Sequence, residues 1–172
     1  SSAVMYDLSA FYQFLGRDSL AHALLKDIVS KEPHHMQYCA ALVEYYNRVN
    51  DKNSAIALYE SMLGNSTSKS DIYMSLYSLY SDSGQAEKAL EVLDKLEVAE
   101  GKNEIISLHR VKQLVMMQDS TRALAAVHQM IDDNPDNSQY RSLLGDIYSL
   151  FGDYGKAENI YVANIKRDTT DL

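Results

Sequence analysis

The stretch LGDIYSLFGDYGKAENIY, residues 144–161, contains two short helical patterns separated by a turn signal. Leu144 and Tyr148 are four residues apart, and a helix places residues at this spacing on one face. A second pattern begins at Ala157, after the dipeptide Gly152-Asp153. The glycine favours the left-handed conformation that ends a helix, and the aspartate is a preferred residue at the start of the next one. The stretch therefore predicts a helix, a tight turn and a second helix.

The turn signal and the small helical residue recur along the chain at a constant interval, the 34 positions that separate Ala21 from Ala55. Three glycines are separated by twice this interval: Gly16, Gly84 and Gly152. Alanines occur at every step: Ala21, Ala55, Ala89, Ala123 and Ala157. A leucine series and a tyrosine series have the same period, and each fails once, at Arg110 and at Leu114. Self-similarity of this length is typical of repeat proteins, and it predicts five units: 2–35, 36–69, 70–103, 104–137 and 138–171.

Each unit is expected to form two antiparallel helices. Where such helices cross closely, a side chain longer than that of alanine would separate them, at a cost of about 1–3 kcal/mol. The composition agrees, since 2 prolines and 7 glycines in 172 residues are too few for the turns of a β-sandwich or barrel. With 46% apolar and 23% charged residues, the chain is typical of globular proteins. We therefore expect an all-α chain of about ten helices.

The charge balance excludes one class of partner. Sixteen Lys and Arg stand against 24 Asp and Glu, which gives a formal net charge of −8. A protein that binds a phosphate backbone instead supplies cations that replace released counterions, so we expect no nucleic acid partner. No run reaches the roughly 20 consecutive apolar residues of a transmembrane helix, so we expect no membrane insertion within this chain. The single cysteine leaves the redox compartment open.

A helix–turn–helix unit of this length with these features resembles the tetratricopeptide repeat family. The stretches that carry the resemblance are LGDIY at 144–148 with GDYGKA at 152–157, and GQAEKAL at 84–90. It covers residues 2–171 and implies an all-α, right-handed superhelical solenoid of five antiparallel helix pairs. The small residue at the family's eighth position is retained in two units, as Ser9 and Gly145, and replaced in three, by Val43, Tyr77 and Val111. This bulk implies wider spacing between the helix pairs than the family average.

In this family the first helix of each pair lines a concave groove, where proteins or peptides usually bind. The matching residues are our candidates for partner binding: Tyr6, Phe14, Glu44, Asn47, Arg48, Met74, Asp82, Leu108, Lys112, Val115, Met116, Asp146 and Leu150. Acidic groups outnumber basic ones on this face, which favours neutral or basic guests. Some family members hold acidic chaperone tails with a clamp of Lys, Asn and Arg. The clamp positions carry no cation here, so that subclass is set aside: Tyr6, Ala10, Ala41, Asp71 and Ser75.

The fourth unit departs most from the pattern. Arg110 replaces the expected leucine, and apolar side chains occupy the face that should contact water: Ile105, Leu108, Val115 and Met116. One interpretation is a hydrophobic hot spot in the groove, where methionine supplies adaptable contacts. The alternative is a helix rotated about its axis, which buries Leu108 and Val111 and lets Arg110 reach solvent along its stem.

No catalytic or metal-binding pattern is recognised. His34 and His35 are adjacent and cannot both face one ion from a regular helix. Cys39 occupies a scaffold position, where a small buried side chain is expected. The oxygen-rich run DDNPDN at 132–137 lacks the glycine and the distal glutamate of a calcium loop. The tripeptide Asn65-Ser66-Thr67 matches the N-glycosylation pattern, which is a frequent accidental match. We expect no enzyme, no metal and no cofactor.

The two ends of the chain predict a second mode of binding. Solenoids usually finish with a polar capping helix, whereas the last helix here retains apolar side chains: Ile160, Tyr161 and Ile165. We therefore expect either a fragment of a longer array or terminal repeats that pair with other copies. Two functions stay open: a scaffold that binds a protein segment in its groove, and an oligomerisation module that associates through its ends. The acidic, Tyr/Ser/Asp-rich composition resembles exported bacterial proteins of this family, which indicates the periplasm or cell envelope, with the cytoplasm as the alternative.

Overall fold

The computed structural model describes residues 1–64 and 69–170, with the side chains of the last helix up to Arg167. These residues form ten α-helices and no strand, which confirms the all-α class. In chain order the helices are α1 (Ser2–Phe14), α2 (Asp18–Lys31), α3 (Met36–Arg48), α4 (Lys52–Leu63), α5 (Ser70–Asp82), α6 (Ala86–Glu100), α7 (Glu104–Met116), α8 (Ser120–Asp133), α9 (Ser138–Leu150) and α10 (Tyr154–Thr170).

The helices begin at strictly periodic positions. The first helix of every pair has 13 residues, and these helices start at one constant interval, that of the alanine series, from Ser2 to Ser138. The second helices start at the same interval, from Asp18 to Tyr154. The period defined by glycine and alanine therefore predicts the start of every helix.

Each turn within a pair contains one residue in the left-handed conformation. Glycine fills three of these positions: Gly16, Gly84 and Gly152. The other two are Asn50 and Gln118, with φ of 57° and 59°, a conformation that residues with a Cβ seldom adopt. In three pairs an aspartate caps the second helix by accepting a hydrogen bond of 3.0–3.2 Å from a backbone N–H: Asp51, Asp119 and Asp153.

The small residues of the repeat lie in the core. All five in-phase alanines are buried, as their steric role requires. The two helices contact each other more extensively in α1–α2 and α9–α10 than in α3–α4 and α7–α8. The two pairs with the more extensive contact have a small, buried residue at the eighth position, Ser9 and Gly145, whereas α3 and α7 have Val43 and Val111 there.

The chain divides into two compact units, Ser1–Gln85 and Ala86–Leu172. In the first unit, α3 packs on α2 and α5 packs on α4. In the second unit, α7 packs on α6 and α9 packs on α8. Each of these first helices is therefore covered on one side by the second helix of the preceding pair, and this stacking determines which of its faces stays exposed.

Candidate partner-binding surface

Two of the predicted groove residues, Asn47 and Asp82, line one cavity of about 380 Å³ in the first unit. Its walls come from the end of α3, the start of α4 and the second half of α5, and the other lining residues are mostly polar: Asn50, Lys52, Tyr59, Ser75, Ser78 and Leu79. The Lys52 ammonium donates a hydrogen bond of 2.8 Å to the backbone carbonyl of Asp82. It lies at the C-terminal end of α5, where the helix dipole also attracts a cation. This bond holds two walls of the cavity together.

The cavity offers hydrogen-bonding groups of both kinds. The carboxamides of Asn47 and Asn50 each carry donors and an acceptor, which matches the N–H and C=O groups of an extended peptide backbone. The Ser75 hydroxyl donates to the backbone carbonyl of Asp71 at 2.9 Å, and its oxygen keeps the capacity to accept. Lys52 and Asp82 bring one charge of each sign. The arrangement suits the binding of a polar, uncharged segment.

The other predicted groove residues of the first unit have different surroundings. Tyr6 is half-buried, and the centroid of its ring lies 5.3 Å from the ring centroid of Tyr38. Arg48 forms an ion pair of 2.9 Å with Asp18 of α2. The remaining three differ in exposure: Phe14 is 84% exposed, Glu44 is exposed and Met74 is half-buried. None of these five predicted residues lines the Asn47–Asp82 cavity.

In the second unit, three predicted apolar contact residues are exposed: Leu108, Met116 and Leu150. Val115 is half-buried and Lys112 is exposed. Asp146 accepts a hydrogen bond of 2.6 Å from the hydroxyl of Tyr161 in α10, and this bond raises the pKa of the phenol. Asp146 is therefore engaged within its own helix pair.

Helix α7 is not rotated relative to the other first helices. Its buried apolar residues lie one repeat interval after buried residues of α5: Ile106 after Ile72, Val111 after Tyr77, and Leu114 after Tyr80. Leu108 is 40% exposed. The alternative in which α7 turns to bury Leu108 is therefore wrong, and the apolar side chains of this helix do lie at the surface.

Arg110 produces a feature that the sequence analysis missed. It lies where three other repeats bury a leucine, and it forms ion pairs of 2.5 Å and 2.6 Å with Asp94 and Glu97 of α6. A cavity of about 360 Å³ lies beside it, lined by both charged and apolar residues: Glu87, Leu90, Glu91, Asp94, Arg110, Leu114, Arg122, Ala125 and Ala126. The available signal was the interruption of the leucine series at Arg110.

Arg122 also lines this second cavity. Its guanidinium lies 2.8 Å from Glu87 and 2.6 Å from Asp119. A hydrogen bond from the Arg122 guanidinium lowers the pKa of the Glu87 carboxyl. The pKa of the Asp119 carboxyl is lowered by two hydrogen bonds, first from the backbone N–H of Arg122 and second from its guanidinium. All three side chains are partly exposed to water, so the pairs stabilise the fold only modestly.

The remaining predictions about chemistry concern metals, thiols and membranes. In the described part of the chain, no group of three His, Cys, Asp or Glu is placed to hold a metal ion. The Cys39 thiol is buried and donates to the backbone carbonyl of Pro33 at 3.4 Å. Its burial raises its pKa, which opposes the reactive thiolate form. No described helix has the length and apolar character to span a bilayer, and Asn65-Ser66-Thr67 lies outside the described residues.

The terminal helices both expose apolar side chains. In α10, Ile165 is exposed and Ile160 is half-buried, whereas Tyr161 packs within its own pair against Gly145 and Asp146. The large exposed apolar residues of α1 are Val4, Leu8, Phe11 and Phe14, and the first three form a stripe at spacing i, i+4, i+7. This spacing in the sequence was the signal for the stripe.

Comparison with known proteins shows similarity in one repeat by sequence and over nearly the whole chain by fold. Residues 141–172 match the tetratricopeptide repeat family, and no curated protein matches the chain in sequence. The structure is similar to that of MamA, with a TM-score of 0.64 and 15% identity over 98% of this chain and 92% of that one. For MamA from Desulfovibrio magneticus RS-1 the TM-score is 0.62, with 14% identity over 98% of this chain and 96% of that one. For a tetratricopeptide repeat protein from Parabacteroides merdae the TM-score is 0.66, with 21% identity over 99% of this chain and 68% of that one. The last repeat therefore matches the tetratricopeptide repeat family, and over nearly its whole length the chain shares the fold of these solved proteins.

Proposed function

We propose that the chain is a protein-interaction scaffold that binds an extended segment of a partner protein in the cavity lined by Asn47 and Asp82. The observation that carries this proposal is the position of these two residues. They lie on successive first helices, α3 and α5, and both reach one cavity. They also occupy the positions that tetratricopeptide repeats present to partners. The tetratricopeptide fold itself supports an interaction scaffold.

The lining of the cavity determines the chemistry of the guest. Asn47, Asn50 and Ser78 supply uncharged hydrogen-bonding groups, which pair with a peptide backbone irrespective of its side chains. The chain as a whole carries a net charge of −8, which favours neutral or basic segments through the long-range field. The same field disfavours nucleic acid. The proposal includes no catalytic step, metal or cofactor.

A random-peptide display library, selected on the immobilised full chain, tests the proposal. We expect enrichment of neutral or basic peptides whose affinity falls at least about fivefold in the double variant Asn47→Ala/Asp82→Ala, because each lost hydrogen bond costs about 0.5–1.5 kcal/mol. The exposed Asn53 of α4 lies outside the cavity, so Asn53→Ala is the matched control and keeps full affinity. Enriched peptides that bind the double variant as tightly as the wild type would contradict the proposal.

Self-association through the terminal repeats is a second candidate function. The observation that favours it is the exposure of apolar side chains on both terminal helices, α1 and α10. Clusters of this kind on a soluble protein mark interaction surfaces. The two functions use different residues, so one chain can perform both.

A further inference from the structure

Val4, Leu8 and Phe11 lie at positions that are buried or half-buried in the following repeats. Val4 is 66% exposed, whereas its equivalents in the other repeats are all buried: Tyr38, Ile72, Ile106 and Tyr140. Phe11 is 54% exposed, whereas its equivalents are buried or half-buried: Tyr45, Leu79, Gln113 and Ile147. The first helix of the chain therefore presents a surface that elsewhere in the same fold holds another helix.

Contacts within each unit show which helix covers these positions. At every interface it is the second helix of the preceding pair. One contact recurs at two interfaces: Asp18 meets Arg48 between α2 and α3, and the equivalent Lys52 meets Asp82 between α4 and α5. His22 also stacks on Tyr45 between α2 and α3, and Asp94 and Glu97 meet Arg110 between α6 and α7. The first helices after α1 are thus all covered by the second helix of the preceding pair, through different side chains.

Helix α10 carries apolar side chains at the positions that make these contacts. Residues separated by whole repeat intervals are equivalent, so Tyr154 is equivalent to Asp18, and Val162 is equivalent to Glu60 and Asp94. The side chains of Tyr154 and Val162 are both exposed. Ile165, equivalent to Glu97, is exposed as well. Only Glu158, equivalent to His22, is charged at these positions of α10.

Helix α1 shows the complementary change. Phe14 is equivalent to Arg48, and Leu8 is equivalent to Arg110. If α10 of another copy docks on α1 in the register of the internal interfaces, Tyr154 meets Phe14 where Asp18 meets Arg48. Likewise, Leu8 meets Val162 where Arg110 meets Asp94. The charged pairs become apolar pairs on both partners at once, and this complementarity indicates a second copy as the occupant.

We propose that α10 of one copy docks on α1 of a second copy, in the register that joins consecutive repeats. This inference rests on the second candidate function and is independent of peptide binding in the cavity. The α1 face consists of Val4, Leu8, Phe11 and Phe14, and the α10 face of Tyr154, Glu158, Val162 and Ile165. Because the two faces differ, the contact is heterologous and leaves one face of each kind unoccupied on every dimer. Association therefore continues beyond the dimer.

Two single variants test this arrangement by analytical ultracentrifugation over a range of concentrations. Phe11→Glu blocks the α1 face, because it places a carboxylate opposite Glu158, and Val162→Glu blocks the α10 face. Each variant alone is expected to remain monomeric at concentrations where the wild type associates. An equimolar mixture is expected to form a 1:1 dimer and nothing larger, since only one intact pair of faces remains. Val98→Glu is the matched control, because Val98 is exposed on α6, and it associates like the wild type.

Each alternative outcome contradicts a different statement. A wild-type chain that is monomeric throughout overturns both this proposal and the second candidate function. Association that survives both variants overturns this proposal and leaves the second function standing. A dimer of Phe11→Glu alone means that α10 pairs with α10. Circular dichroism melting of each variant verifies that it is folded.

Cysteine cross-linking tests the register itself. Phe14→Cys and Tyr154→Cys, mixed as separate chains and oxidised, are expected to form a disulfide-linked dimer, because the register places these residues in contact. Cys39, which is buried, is present in every variant, so the wild-type chain measures the background of disulfide formation. A mixture of Phe14→Cys with Val98→Cys is the control and is expected to remain uncrosslinked. Equal yields from the two mixtures would overturn the proposed register.

Discussion

The ring of Tyr161 packs directly against Gly145, so that a Cβ atom at position 145 would lie 2.7 Å from Cε1 of Tyr161. The Tyr161 hydroxyl donates to Asp146 one residue further along α9. The ring is thus held between the backbone of α9 and a hydrogen bond at its tip. This contact accounts for the close approach of α9 and α10.

Gly145→Ala is expected to destabilise the protein, although alanine is the better helix former. The overpacking costs about 1–3 kcal/mol, and the gain in helix propensity offsets up to about 1 kcal/mol of it. Urea unfolding followed by circular dichroism measures the difference. Gly155→Ala is the control, because no neighbouring atom lies within 4 Å of a Cβ there, and it should be neutral or stabilising. Equal free energies of unfolding for the two variants would show that Tyr161 moves aside at no cost.

The left-handed turn residues provide a pair of opposite predictions. Gly152→Ala forces a Cβ into a turn with φ of 82°, which costs about 1–2 kcal/mol, and no neighbouring atom contributes a clash. Gln118→Gly relieves the same strain in the fourth turn and is expected to raise the free energy of unfolding by up to about 1 kcal/mol. Thermal and urea denaturation measure both variants. Changes of the same sign would refute the explanation by backbone strain.

Arg110→Leu is expected to leave stability unchanged or to raise it by about 1 kcal/mol. The substitution restores the residue that three other repeats bury at this position, and ion pairs at partly exposed sites contribute little. Arg110→Ala removes the ion pairs without filling the space and should destabilise by about 1–3 kcal/mol. Chemical denaturation of the wild type and the two variants measures the order of their free energies of unfolding. A leucine variant as unstable as the alanine variant would mean that the pairs with Asp94 and Glu97 dominate.

Stability is expected to fall as the pH is lowered from neutral towards 5.5. His22 is stacked on Tyr45 at 4.5 Å, and its burial, with the nearby Lys26, lowers its pKa below the usual value near 6.5. The unfolded chain therefore binds protons first, so the free energy of unfolding is fully present above this value and declines below it. His22→Gln should reduce the slope of the free energy of unfolding against pH. A variant with the wild-type slope would show that other groups cause the decline.

The sequence predicts the helix starts because glycine, alanine and aspartate have local effects. Gly152 ends a helix wherever it occurs in such a pattern, and Asp153 caps the next one. The sequence does not predict that Gln118 adopts the left-handed conformation, because the surrounding helices impose this conformation against the residue's own preference. Arg110 illustrates a second limit: its partners on α6 are only defined once α6 and α7 pack.

The candidate site could be predicted in part for the same reason. The repeat phase assigns Asn47 and Asp82 to one face, since this follows from helical periodicity alone. The bond between Lys52 and Asp82 joins residues 30 apart in sequence, and nothing in the local pattern indicates it. The α1 stripe was visible in the spacing of Val4 and Phe11, and its exposure depends on which helix packs beside it.

The ion pair between Asp18 and Arg48 has a consequence for how the chain folds. Because the helices start at one constant interval, the repeat spacing alone does not select which second helix docks on which first helix. The side chains at the shared contact positions differ from one interface to the next, with a carboxylate opposite Arg48 and a different carboxylate opposite Tyr80. Helices that are not neighbours would place unmatched charges together, which opposes swapped or skipped pairings. The ion pairs thereby help the repeats to assemble in their sequential order.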